Sequence, residues 1–220
     1  MSAAPELVRF YREGHARIVE LVGDLDAGGL DEPVPACPGW SVSDVVAHVA
    51  AIAEDVGAGR LTRPPTDEQA AAQVARFAGR PIGDVLQAWD EHAPALEELI
   101  AAHNVRPPVL DVLAHEHDIR GALDRAGARD DEAVWTGAEM LLGTLSPPVP
   151  LRVRCDEFEV RVGPTEGQPL ELRTDHFEAF RWRLGRRSRA QLAGMDWSGD
   201  ASRILDGLVI FGPARRDVIE

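Results

Sequence analysis

The sequence predicts an α+β protein: a helical bundle over residues 1–146 followed by a small α/β domain over residues 147–220. Three observations predict it. Up to residue 146 the apolar residues recur at intervals of three and four, as in helices that bury one face. Beyond Pro150 the interval shortens to two, as in strands. The charge changes with the period, because residues 1–146 carry 25 acidic and 11 basic side chains while residues 147–220 carry 12 of each.

Taken in order, the first helix spans Glu6–Leu25, with Leu7, Phe10, Ile18 and Leu21 among its apolar positions, and Gly28-Gly29 ends it. A loop rich in proline and acidic residues runs on to Pro38-Gly39-Trp40. Ser41, with Asp44 three residues later, reads as an N-cap with an acid in the first turn, and it starts a helix over Val42 to about Gly57. Further helices are expected over Asp67–Phe77 and Asp84–His103. Pro107-Pro108 open the next, since the first turn has no use for the N–H that proline lacks. That helix runs through Leu123 and stops before Gly127. Residues 131–145 make the last helix of the bundle, ended by Pro147-Pro148. Short strands follow at Leu151–Cys155, Phe158–Val162 and Leu170–Arg173, then helices at Asp175–Leu184, Ser188–Leu192 and Asp200–Leu208.

Composition excludes several classes. With 45% hydrophobic and 27% charged residues in 220, the chain can bury a sizeable core without cross-links. No apolar run approaches the ~20 residues that cross a bilayer, and the first residues, MSAAPELVRFYREGH, lack the apolar centre of a secretory signal. A cytoplasmic protein without a membrane partner is expected, as a monomer or homodimer. Cys37 and Cys155 lie far apart and are not expected to pair in a reducing compartment. Cys37 reads either as a small apolar residue or as a reactive thiol. A net charge of −14 argues against nucleic acid, whose binding rests on basic side chains. All 23 basic residues are arginine, which excludes lysine chemistry such as Schiff-base formation.

One segment carries chemistry. In VLDVLAHEHDIRGAL, residues 109–123, Asp111 and His115 are four apart and so share one helix face, about 5–6 Å from each other. Asp118 continues that face, where it could orient His115 or form a structural pair with Arg120. Glu116 and His117 point elsewhere by helical geometry. A charged pair on a core-facing stripe needs a partner or a metal, because an unpaired buried charge is costly. His48, amid Val45, Val49 and Ile52 on another amphipathic helix, offers a third donor. Two imidazoles and a carboxylate make an open ligand set for a divalent ion, whereas structural zinc sites are closed by four ligands. The alternative is that both histidines are core residues bonded to backbone carbonyls and that Asp111 serves the helix start.

Three segments resemble one family. PACPGWSVSDVVAHVA, residues 35–50, resembles the second-helix signature of the DinB-like superfamily in its mycothiol-dependent maleylpyruvate isomerase branch. VLDVLAHEHDIRGAL is similar to that branch's second metal motif, and FRWRLGRRSRAQLAGMDWSGD, residues 180–200, to the segment near the end of many members. The resemblance implies a DinB-like four-helix bundle at the N-terminus and a divalent metal, zinc in the usual assignment with nickel or iron(II) as alternatives. It implies His48, Asp111 and His115 as the ligands and mycothiol or a similar low-molecular-weight thiol as cosubstrate. The characterised isomerases have glutamate where this chain has Asp111, and the shorter arm leaves metal identity and geometry open. A metal-activated thiolate that adds to a double bond, permits rotation and leaves gives an isomerase; one that stays attached gives an S-transferase.

The remaining candidates follow from charge and position. Arg181, Arg183, Arg186, Arg187 and Arg189 put five guanidinium groups in nine residues. They read either as a carboxylate-binding cluster, with Arg186 and Arg187 as the catalytic candidates, or as a solvated face. Trp40 closes the bundle end, and Trp89, Trp182 and Trp197 are packing residues. His15, His92, His103 and His176 have no partner at useful spacing. The expected function is a metal-dependent thiol enzyme acting by isomerisation or S-transfer on a small, anionic, electrophilic substrate. The alternatives are a non-catalytic small-ligand-binding or regulatory protein, and a metal hydrolase, for which the sequence offers no evident general base.

Overall fold

A computed structural model describes residues 4–220. The chain divides into two compact units, one ending at Ala126 and taking in Glu220, the other Gly127–Ile219. The first holds α1 (Ala4–Val22), the one-turn α2 (Ala27–Leu30), α3 (Val42–Gly57), α4 (Asp67–Phe77), α5 (Ile82–His103) and α6 (Pro107–Ala122). The four long helices α1, α3, α5 and α6 form the bundle: α3 packs on α5 and α6, α1 packs on the same two, and α4 lies on α3. Phe10, Ile18, Val45, Leu96, Ile100 and Val112 are buried between them. Gly14 sets the closeness of α1 and α6, since a Cβ there would come 2.8 Å from Val112 Cγ1.

The helix starts obey their caps. The Ser41 side chain accepts from Asp44 N–H while Asp44 accepts from Ser41 N–H, and Thr66 and Gln69 repeat the arrangement at α4. The end of the first helix departs from expectation. Gly28-Gly29 do not terminate it; α1 stops at Val22, and Asp26 caps a separate turn that contains both glycines by accepting from Gly29 N–H at 2.9 Å.

The second unit comprises α7 (Glu132–Leu142), β1 (Leu151–Cys155), β2 (Phe158–Val162), β3 (Leu170–Thr174), α8 (His176–Arg183), α9 (Arg189–Ala193), β4 (Asp196–Trp197) and a short 3-10 turn at Leu205–Gly207. The sheet order is β2-β1-β3-β4, with β1 antiparallel to β2 and parallel to β3, and β4 antiparallel to β3. Leu151, Val153 and Cys155 of β1 face the core, and burial raises the Cys155 thiol to about 12. α7 packs on α8. The change of sequence period near residue 147 therefore marks the first strand, while the break in packing lies between Ala126 and Gly127.

The helix expected over Asp200–Leu208 is instead a chain of turns. Asp200 accepts from Ser202 N–H at 2.9 Å, and Ile204, Gly207 and Leu208 each bond three residues back, the tighter pitch of a 3-10 turn. α8 is held from within. Arg183, 4% exposed, donates to the carbonyls of Leu141 and Leu208 and to Thr144 Oγ1, and burial lowers its pKa to about 10. No disulfide joins Cys37 and Cys155, and no helix among the described residues is long and apolar enough to cross a membrane.

Candidate metal centre

The site begins with register. Capping at Ser41 fixes the start of α3, and His48 falls two turns in, on the buried side between Val45 and Ile52. On α6, Asp111 and His115 are one turn apart. Because α3 and α6 pack together, the three side chains meet. His48 Nε2 lies 3.7 Å from Asp111 Oδ2, and His115 Nε2 lies 3.5 Å from Asp111 Oδ1. The ring centroids of the two histidines are 5.2 Å apart and nearly perpendicular, at 80°. One donor atom from each residue falls within 4.8 Å of the others.

These distances fit a shared cation. Two donors each about 2.0–2.1 Å from a tetrahedral zinc stand about 3.4 Å apart, close to the spacings present. His48 and His115 are buried and Asp111 is half-buried, so the set opens on one side. Electrostatics points the same way. Burial would drive the proton off His115, but the charge of Asp111 and hydrogen bonds to Asp111, Asp118 and Cys37 outweigh it and hold its pKa well above the ordinary histidine range. The site thus calls for positive charge, which a divalent ion supplies.

Around the triad stands a set of residues that spacing alone did not assemble. His115 Nδ1 lies 3.0 Å from Asp118 Oδ2, and Cys37 Sγ donates to the same oxygen at 3.3 Å. Cys37 Sγ is also 3.8 Å from His115 Nδ1, so Cys37, His115 and Asp118 form a second cluster of donor atoms within 4.8 Å. Trp40 does more than close the bundle end: its ring lies 5.0 Å from that of His48 and 6.4 Å from that of His115. Both residues come from a loop tied to itself by Val34 N–H to Trp40 O, Cys37 N–H to Val34 O and Trp40 N–H to Cys37 O, all 2.9–3.0 Å.

Asp118 serves His115, and Arg120 bonds instead to the fully buried Glu116, which also receives Arg17 from α1, each at 2.9 Å. His117 is buried. His15 has neighbours after all: its ring lies 4.0 Å from that of Trp89, tilted by 32°, and Trp89 Nε1 donates to Tyr11 Oη at 2.8 Å. His176 sits between Asp156 and Glu139, 3.3 and 3.5 Å away. The arginine cluster is not a solvated face, because Arg181, Arg183 and Arg187 are buried. Arg187 pairs with Glu178 through Nε at 2.8 Å, Arg186 Nη1 donates to Leu184 O at 2.8 Å, and Arg189 pairs with Asp206 at 3.1 Å. Arg186 and Arg187 belong to the second unit.

The model of the mycothiol maleylpyruvate isomerase N-terminal domain family matches residues 11–118, a stretch that contains Cys37, Trp40, His48, Asp111, His115 and Asp118. Two solved structures share the fold. One is the crystal structure of the mycothiol-dependent maleylpyruvate isomerase, with a TM-score of 0.54 and 16% identity, covering 90% of this chain and 96% of that one. The other is a histidine-to-alanine mutant of that isomerase, with a TM-score of 0.55 at the same identity and coverage. No curated protein sequence matches the chain.

Proposed function

Since the chain belongs, through its residues 11–118, to the mycothiol maleylpyruvate isomerase N-terminal domain family, we propose that it is a metal-dependent enzyme using mycothiol or a similar low-molecular-weight thiol. The reaction is isomerisation of, or S-transfer to, a small anionic electrophile. The observation that carries this reading is the convergence of His48, Asp111 and His115 within 4.8 Å at the bundle core. A divalent ion held there, zinc as the family resemblance implies with nickel or iron(II) as alternatives, would supply the acidity that turns a thiol cosubstrate into thiolate near neutral pH.

The chain's own residues do the rest. His48 and His115 present Nε2 from buried, packed rings, so the donors are held in place rather than gathered on binding. Three protein donors leave room for an exchangeable ligand. Trp40 lies beside the two imidazoles, its ring 5.0 and 6.4 Å from theirs, where it would limit the access of water to them. Asp111 reaches less far than a glutamate would, which makes it the donor most able to alter metal preference.

Metal analysis of protein purified without chelator is the test. About one divalent ion per chain is expected in the native protein, with loss of it in His48→Ala. Added thiol should then accelerate conversion of a maleylpyruvate-like substrate. A native protein as empty of metal as His48→Ala sinks the proposal, and metal without thiol-dependent turnover leaves a ligand-binding protein.

A further inference from the structure

Resting on that metal-centre reading, we infer that Asp118 is a positioning residue of the site and that Cys37 ties the Val34–Trp40 loop to it. An imidazole that gives the lone pair of one nitrogen to a metal must carry its proton on the other, and a hydrogen bond at the far nitrogen decides which is which. His115 Nδ1 stands 3.0 Å from Asp118 Oδ2. With a metal bound, the proton would sit on Nδ1 and the Nε2 lone pair would face the position shared with Asp111 and His48.

Helix geometry makes this arrangement rigid. Asp111, His115 and Asp118 occupy one face of α6 at intervals of four and three, so the ring is held between two carboxylates of its own helix. Asp118 is 1% exposed, and a buried carboxylate is tolerable only when donors surround it. His115 is one donor and the Cys37 thiol, at 3.3 Å from the same oxygen, is another.

The Cys37 bond has two consequences. Donation uses the S–H proton, so Cys37 is engaged as a thiol at the Nδ1 edge of the ring, opposite the Nε2 edge where a thiol cosubstrate would bind. The protein's own sulfur is thereby kept out of competition for that position. The bond also anchors the loop that carries Trp40, three residues on, against His48. Asp118 thus holds both a ligand ring and the loop that covers it.

Cobalt(II) alone is the probe, with affinity read by competition against a chromophoric chelator and geometry by its visible absorption band. Asp118→Ala should weaken cobalt(II) binding by about 10–100-fold and change the band. Asp118→Asn, which keeps an accepting oxygen without the charge, should lose less. Cys37→Ala should cost a few-fold, and Cys37→Ser, whose hydroxyl can donate the same bond, should restore native affinity. Circular dichroism confirms folding of each variant, and if Asp118→Ala does not fold, Asp118→Asn decides alone. Native affinity and an unchanged band in the decisive variant overturn the positioning role, and native affinity in Cys37→Ala overturns the loop tie. A native protein that binds no cobalt(II) overturns this inference and the proposed function together.

Discussion

Asp55, on α3, is a buried acid of a different kind, satisfied entirely by side chains. Arg60 Nε, Gln73 Nε2 and Arg76 Nη2 donate to it at 3.0, 2.8 and 3.2 Å, while the same two arginines also pair with Glu54. Burial pushes its pKa up, but the bonds from Arg76, Gln73 and Arg60 outweigh it, and the carboxyl sits below its ordinary value. A depressed acid contributes stability above the unfolded pKa, about 3.9, and loses it as pH falls through the folded value. Asp55→Asn should therefore cost about 1.5–3 kcal/mol at neutral pH and flatten the loss of stability below about pH 4. Urea unfolding from neutral to acid pH measures both, and parallel curves for mutant and native protein would refute the assignment. At this scale the sequence was readable where residues share a helix: Asp111, His115 and Asp118 follow from spacing, and His48 from its apolar neighbours. Cys37 and Trp40 were not readable as site residues, because no spacing rule carries a loop to His115, 78 and 75 residues further on.

Elements were legible where local chemistry decides them. Ser41 with Asp44 and Pro107-Pro108 mark helix starts whatever surrounds them, and the alternating strands of the second unit declare themselves by period. Elements decided by distant partners were not. β4 is two residues long and exists through its pairing with Leu172 and Arg173, and the turns after Asp200 replaced a helix whose apolar spacing looked adequate. The joint after α8 depends on backbone shape. Gly185 has φ +81, and a Cβ there would overlap the carbonyl oxygen of Gly212. Gly185→Ala is expected to cost about 1–3 kcal/mol and lower the thermal midpoint. Gly83, in the first turn of α5 with open space around it, is the control. Gly83→Ala should be neutral or gain up to about 1 kcal/mol, and equal effects at the two sites would disprove the backbone argument.

For the molecule as a whole, the charge is concentrated rather than spread. The net −14 arises within residues 1–146, and the remaining residues are neutral overall. Self-repulsion of this kind opposes the compact state and is relieved by salt. The thermal midpoint should rise by a few degrees between about 0.02 and about 0.3 M sodium chloride, over which the screening length falls from roughly 20 to 6 Å. A falling midpoint would mean that ion pairs such as Arg60–Asp55 and Arg17–Glu116 outweigh the repulsion. The change of period near residue 147 was legible, whereas the break in packing lies between Ala126 and Gly127, because α7 has the spacing of a bundle helix yet packs on α8. Arg183 gives that second unit its character as a mechanical object. Its guanidinium clasps the end of α7 and the segment at Leu208 from inside the core. Freeing either one takes an acceptor from a buried cation, which couples the two segments to each other. Amide hydrogens around Leu141 and Leu208 are therefore expected to exchange through one shared opening event.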